Sequence, residues 1–380
     1  MKTDSHRCRR HFLKTSLFGG LAAAAAAHLP TVGHKPAATR AADEATPPAA
    51  KPATRVAVSH GNDRVDNAVK ALRPFADEIA RAIGDRRVVV KPNNVSIQIP
   101  LCATHGECIE GILEFLKSIG KVGQTVIAES SADGPTLDGF ENYRYTALAK
   151  KYGVKLIDLD ATPVDIVQVF DEKDFRPHAV RMAKLLLDPQ TFVISAAKMK
   201  THDRVVATLS LKNIIFGTAV KDLGFGWAKA AKPGTKSDKP IAHGSGFRGI
   251  NYNLFALAQR LHPHLAVIDG HEGMEGNGPT RGTAVDHRVC VASPDWLAAD
   301  RVAVELMGID FAKIGYLNFC ADARLGVADL KQIEVLGEPL EKHVKKYKLA
   351  DSIDKQLIWM QPLAAARHAD QSWHDCQYAV

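Results

Sequence analysis

Residues 192–202 read Phe-Val-Ile-Ser-Ala-Ala-Lys-Met-Lys-Thr-His, and this stretch decides the fold. Phe192–Ser195 is a short apolar run of the kind that fills a strand buried on both faces. The residues after it turn polar: two lysines, a hydroxyl and an imidazole fall within residues 198–202. The same plan recurs along the chain. Arg55–Ser59, Arg87–Val90, Thr125–Ala128, Val154–Leu159, Leu265–Ile268 and Arg288–Ala292 are further β-type runs. Between them the apolar residues take helical spacing. Val65–Ile83 runs through Val69, Leu72, Phe75 and Ile79, and Thr104-His-Gly-Glu107 reads as a capping box opening a helix to Gly120. Tyr145–Tyr152, closed by Gly153, Tyr252–Leu261 and Asp295–Met307 continue the series. Short strands alternating with amphipathic helices predict an α/β fold with a mostly parallel central sheet and helices on both faces. Residues 163–190 (VDIVQVF, then HAVRMAKLLL) read as an antiparallel excursion. One domain over 55–345 is expected, with 346–380 as a C-terminal extension.

Composition sets the outer bounds. The chain has 380 residues, 46% hydrophobic and 24% charged, enough apolar surface for a core and too much for a disordered chain. Six cysteines are too few for a disulfide-stapled scaffold. No pair has C-x-x-C spacing, so no iron–sulfur or zinc-ribbon pattern is present, and any cofactor is left unnamed. The net charge of +7 is unevenly spread. Lys2, Arg7, Arg9, Arg10 and Lys14 against Asp4 put +4 in residues 1–30. Lys35, Arg40 and Lys51 against Asp43 and Glu44 add +1, which leaves +2 for the rest. A body so near neutrality argues against nucleic acid as a partner.

The charged start has its own reading. Arg9-Arg10-His-Phe12-Leu13-Lys14 is followed by an Ala- and Gly-rich apolar stretch, Thr15–Ala27. This resembles a twin-arginine export signal over 1–27, too short to span a bilayer. Residues 28–54, rich in Ala, Pro and Thr, form an expected tether. The expectation is a periplasmic or otherwise exported protein, with the export machinery as one partner and no stable membrane span after cleavage.

In a parallel sheet the carboxyl ends of the strands carry the ligand, which selects four expected loops. After RVVV comes Lys91-Pro92-Asn93, a cation beside an amide that both donates and accepts. After TVIA come Glu129 and Asp133, able to balance lysines or to cap a turn. After FVIS come Lys198, Lys200, Thr201 and His202, then Lys212-Asn213. Clustered ammonium groups repel, and an anion relieves them. After LAVI comes Asp269-Gly-His-Glu-Gly-Met-Glu275-Gly-Asn277-Gly-Pro279, whose acids can accept protons or bind a hard cation. Residues 217–249 read as a basic flap rich in Gly and Lys. They end in Gly244-x-Gly246-x-x-Gly249 before a helix but after no strand, so an anion at a helix N-terminus is expected there rather than a dinucleotide.

Taken together, these motifs resemble the family catalogued as domain of unknown function 362. The resemblance rests on Lys91-Pro92-Asn93, then Lys198, Lys200, Thr201 and His202, then Leu211–Gly217. It continues through Asp269-Gly270 and Gly276–Pro279 to the helix carrying Ser293, Asp295, Ala298, Asp300, Met307 and Gly308. It spans about residues 85–337 and implies that the strand-end segments form one site. Many members append a ferredoxin module, whose cysteine pattern this chain lacks.

The leading expectation is an exported enzyme with a lysine-rich pocket for a small carboxylate or phosphate. Lys91, Asn93, Lys198, Lys200, Thr201, Lys212, Asn213 and Asn277 would bind the ligand. His202 would transfer a proton, and Asp269 or Glu275 would act as base or cation ligand. A non-catalytic binding protein for an anionic metabolite or metal complex is the alternative, and a cofactor-carrying redox protein a third.

Overall fold

A computed structural model describes residues 54–226 and 232–361. The expected export signal, nearly all of the expected tether, residues 227–231 of the expected flap and residues 362–380 of the expected C-terminal extension lie outside the described residues.

Eleven strands are described: β1 Thr54–His60, β2 Arg87–Pro92, β3 Thr125–Glu129, β4 Lys155–Asp158, β5 Val164–Asp171, β6 Arg176–Ala183, β7 Thr191–His202, β8 Val206–Thr208, β9 Leu265–Asn277, β10 Arg281–Ser293 and β11 Ile333–Gly337. Helices α1 Arg64–Leu72, α2 Ala76–Ile83, α3 Gly106–Ser118, α4 Thr136–Asn142 and α5 Tyr145–Tyr152 fall in the first half. Then come α6 Lys184–Leu187, α7 Ser210–Thr218, α8 Lys239–Ala242, α9 Phe247–Ala258, α10 Trp296–Leu306, α11 Gly315–Asp322 and α12 Ile353–Gln356.

The main sheet runs β11-β1-β10-β9-β7-β2-β3-β4, with β8 paired to β7. β9, β7, β2, β3 and β4 are mutually parallel, and β11 runs parallel to β1, whereas β10 is antiparallel to both of its neighbours. The fold is therefore the expected α/β class. Period-two alternation divides the strand residues between two cores. Val88, Val90, Ile127, Phe192, Ile194 and Val267 pack under Ile109, Ile112 and Leu116 of α3. Val89, Ala128, Val193, Ala266 and Ile268 pack under Ile214 and Ile215 of α7 and Val302 of α10 on the other face. β5 and β6 form a separate antiparallel pair, the expected excursion.

Four local expectations are corrected. The helix predicted over Val65–Ile83 is broken by a 3₁₀ turn at Arg73–Phe75, because Pro74 cannot donate to the helix ladder. The cap of α3 is His105, whose Nδ1 accepts from Glu107 N. Thr104 instead ties strands together: its hydroxyl accepts from Asn93 N at 2.8 Å and donates to Ala196 O at 2.6 Å. The polar segment after FVIS is not a loop. It extends β7 to His202, buried at every position, because β8 and β9 pair with it on either side. The segment after LAVI likewise continues β9 to Asn277, as one arm of a hairpin with β10.

The chain passes from β2 to β3 and β4 on one side of the sheet, then returns to place β7 and β9 on the other. The winding direction thus reverses between β2 and β7. A crevice opens outside the carboxyl ends at such a point.

Candidate functional site

A cavity of about 140 Å³ lies there, lined by Lys91, Asn93, Asn94, Glu129, Lys200, His202, Thr208, Lys212, Asn213, Phe216, Gly217, Lys239 and His243, among others. Lys91 leaves the end of β2 and is fully buried. Its Nζ contacts both carboxylate oxygens of Glu129, at 2.7 and 2.8 Å. Burial pulls Lys91 down and Glu129 up, each toward its neutral form, while their mutual attraction opposes both. Glu129 also accepts from Ser130 N and Asn94 N, donors that favour its charged form.

A chain of amides joins this pair to β7. Asn213 on α7 accepts through Oδ1 from Lys91 Nζ and Asn93 Nδ2, both at 3.2 Å. Its Nδ2 donates to Lys91 O and Ser195 Oγ. Asn93 Oδ1 accepts from Lys200 Nζ, which also donates to Cys102 O at 2.8 Å. Gly217 closes α7 over the pair: a Cβ there would overlap Lys91 Nζ. That is the local reason for glycine after Leu-Lys-Asn-Ile-Ile-Phe.

Among the described residues six lysines are buried: Lys91, Lys198, Lys200, Lys212, Lys221 and Lys239. Three have carboxylates: Glu129 for Lys91, Asp269 for Lys198 and Asp160 for Lys221. Among the described residues the other three have no carboxylate within ion-pair distance, and all three line the cavity. Lys200 is lowered to about 8, mainly by burial. Lys239, which donates to Phe216 O and Ala219 O, is lowered to about 7, again mainly by burial. Lys212 is lowered to about 7 by burial and then by the Lys200 ammonium. It makes no hydrogen bond among the described residues, and its Nζ sits 5.1 Å from the centre of the Phe216 ring.

His202 is also buried, and burial followed by Lys212 holds it well below the ordinary histidine value. Its Nδ1 accepts from Arg204 N at 3.0 Å, so the neutral ring carries its proton on Nε2. His243 stacks on Phe216 with ring centres 4.3 Å apart, and burial lowers it to about 3.

The structure thus brings together Lys91, Asn93, Lys200, His202, Lys212 and Asn213. It does not bring the rest to this cavity. Lys198 lies 4.0 Å from Asp269, which also faces Arg64 at 3.5 Å and accepts from His271 N. This is a separate buried cluster, in which the Lys198 and Arg64 charges outweigh burial and lower Asp269. Thr201 donates to Gly276 O, Glu275 accepts from Lys348 N, and Asn277 pairs with Asp351. Asp269, Glu272 and Glu275 do not converge, and no three acidic, His or Cys side chains gather as a metal site among the described residues.

Sequence reasoning missed Lys239 and His243, which α8 and the turn after it carry into the cavity. Part of their segment is anchored by Arg181 to Asp238 and Asp222, at 2.9 and 2.7 Å. The only advance signal was the density of lysines in 217–249. The Gly244–Gly249 motif is filled from within: Glu172 Oε2 accepts from Arg248 N and Gly249 N, which occupies the start of α9. The Ser293–Asp300 motif supports neighbours. Asp295 caps α10, and Asp300 accepts from Ser210 N and Leu211 N at the start of α7.

The chain is an α/β protein with a doubly wound sheet and a lysine-lined crevice at its switch point, the position at which such sheets carry ligands. The chain belongs to the family described as Domain of unknown function (DUF362), which matches residues 88–305, more than half of the chain and all of the crevice. A thylakoid-associated protein of Synechocystis sp. is 26% identical over 246 residues, 64% of this chain and 69% of that protein. A crystal structure of a Thermotoga maritima protein is similar with a TM-score of 0.37 at 13% identity. That match covers 63% of this chain, which spans 58% of the solved one.

Proposed function

We propose that this protein is an exported enzyme that receives a small anion, a carboxylate or phosphate, in the lysine crevice. One observation carries the reading: three buried lysines line one small cavity with no carboxylate partner among the described residues. Burying an unpaired charge costs several kcal/mol, and a bound anion offsets that cost. A volume of about 140 Å³ is below the usual 300–1,000 Å³ range of drug-sized sites. It fits a small metabolite or the charged head of a longer one. His202, neutral and beside the lysines, supplies proton transfer. Lysines and a histidine displaced from their ordinary values in one crevice favour chemistry over storage. Export rests on the arginine pair at the start of the chain, and the thylakoid-associated relative is consistent with a location at or beyond a membrane.

Thermal melts with inorganic phosphate and with small carboxylates test the binding. The melting temperature is expected to climb with the logarithm of anion concentration once the site saturates. The rise should shrink in Lys212→Met. An unmoved melting temperature with every anion at pH below 7, where the lysines are protonated, would rule the reading out.

A further inference from the structure

Among the described residues four lysines line the crevice, and three are spoken for. Lys91 has Glu129 and Asn213, Lys200 has Asn93 and Cys102 O, and Lys239 has two main-chain carbonyls. Lys212 has the face of Phe216 and no acceptor among the described residues. A buried ammonium needs acceptors, whereas a neutral amine tolerates their absence and keeps a free lone pair. The buried Thr208 hydroxyl, with no hydrogen-bond partner among the described residues, lines the same cavity. Thr208 pairs with Lys200 across the β7–β8 ladder.

We infer that Lys212 is a nucleophilic amine that forms an imine with a small carbonyl-bearing anion of the 2-oxo acid class. The inference rests on the anion reading above, since the remaining ammonium groups hold the carboxylate. The Lys212 nitrogen adds to the carbonyl carbon, and the C=O π pair moves to oxygen. That oxygen takes one proton from the adding nitrogen and a second from the neighbouring Lys200 ammonium, and leaves as water. The C–O bond breaks as C=N forms, giving a protonated imine on Lys212 and a neutral amine on Lys200. Burial and the Lys200 charge together hold the Lys212 amine in its reactive form, and no metal or oxidant is required.

The test is reductive trapping on the full chain. The protein is incubated with pyruvate or, in parallel, the smaller glyoxylate, then treated with sodium borohydride. Adducts are read by intact mass and peptide mapping. One reduced adduct per chain, located on Lys212 and suppressed by added phosphate, is the expected result. It should vanish in Lys212→Met. Because mapping on the wild-type chain needs no variant, poor folding of that variant leaves the test intact. No adduct, or adducts only on exposed lysines, overturns the proposal. Stabilisation by phosphate without an adduct on Lys212 overturns the imine and leaves the anion site standing, while neither signal removes both.

Discussion

At the residue scale the molecule turns on lysines that are buried at the cost of their charge. Lys212 is the clearest case, lowered from 10.5 to about 7 in the folded chain. Between those values the unfolded chain binds the extra proton, so stability rises with pH there, and below about pH 7 the full cost of burying the ammonium is felt. Each unit of displacement is worth roughly 1.4 kcal/mol. Lys212→Met should therefore melt higher than wild type at and below pH 7, with the advantage shrinking as the pH climbs toward 10.5. Melts of both proteins across that range check the sign, and a variant less stable at pH 7 would show that Lys212 is compensated there. The same chemistry governs binding. An anion favours the protonated lysines, so its affinity should fall as pH rises through about 7 to 8, the values of Lys212, Lys239 and Lys200. Calorimetry of phosphate binding in buffers of different ionisation enthalpy should register proton uptake.

At the element scale, α7 is the hinge between core and site. Its inner face packs on the sheet, Asp300 holds its first turn, and Gly217 leaves room at its end for Lys91. Gly217→Ala should push Lys91 off Glu129 and cost about 3–5 kcal/mol, the penalty for breaking a buried pair. Chemical denaturation checks it, and a loss well under 1 kcal/mol would mean that Lys91 can step aside. At α9 the acceptor is internal, so Glu172→Ala should cost about 1 kcal/mol as a lost N-terminal cap. Much of this layout was legible beforehand. The apolar kernels of the strands announced themselves, and the strand-end rule selected Lys91, Asn93, Lys200, His202, Lys212 and Asn213. The polar continuations of β7 and β9 were not legible, because nothing local distinguishes Lys-Met-Lys-Thr-His in a ladder from the same residues in a loop. Pairing with β8 and β9 decides it. Lys239 and His243 arrive by a tertiary contact far along the chain, and the separation of Lys198–Asp269 from the crevice depends on where β9 departs from regular pairing with β7. Lys198 faces Asp269, but Lys200 already faces Met274.

At the scale of the whole molecule, the net charge and the buried charge lie apart. More than half of the net charge lies before Thr54, while the described body confines its buried cations to two clusters and the Asp160–Lys221 pair. Among the described residues no helix is long and apolar enough to cross a membrane. If the arginine pair directs export, Arg9→Lys with Arg10→Lys keeps the charge but should retain the full-length chain in the cytoplasm. Fractionation and the N-terminal sequence of the product check this, and normal processing of the double variant would count against the route.

The placement of Lys198, Lys200 and His202 in a strand, rather than in a loop, has a consequence for how such a site can change over time. Loops absorb insertions and deletions cheaply. A strand does not, because a shift of one residue exchanges its two faces. Deleting Ala196 would draw Met199, Thr201 and Asp203 into the places of Lys198, Lys200 and His202, emptying both clusters of these side chains at once and turning the lysines toward the opposite core. This segment can therefore vary by substitution while its length stays fixed, and changes of length around the pocket are left to the connections outside the strands.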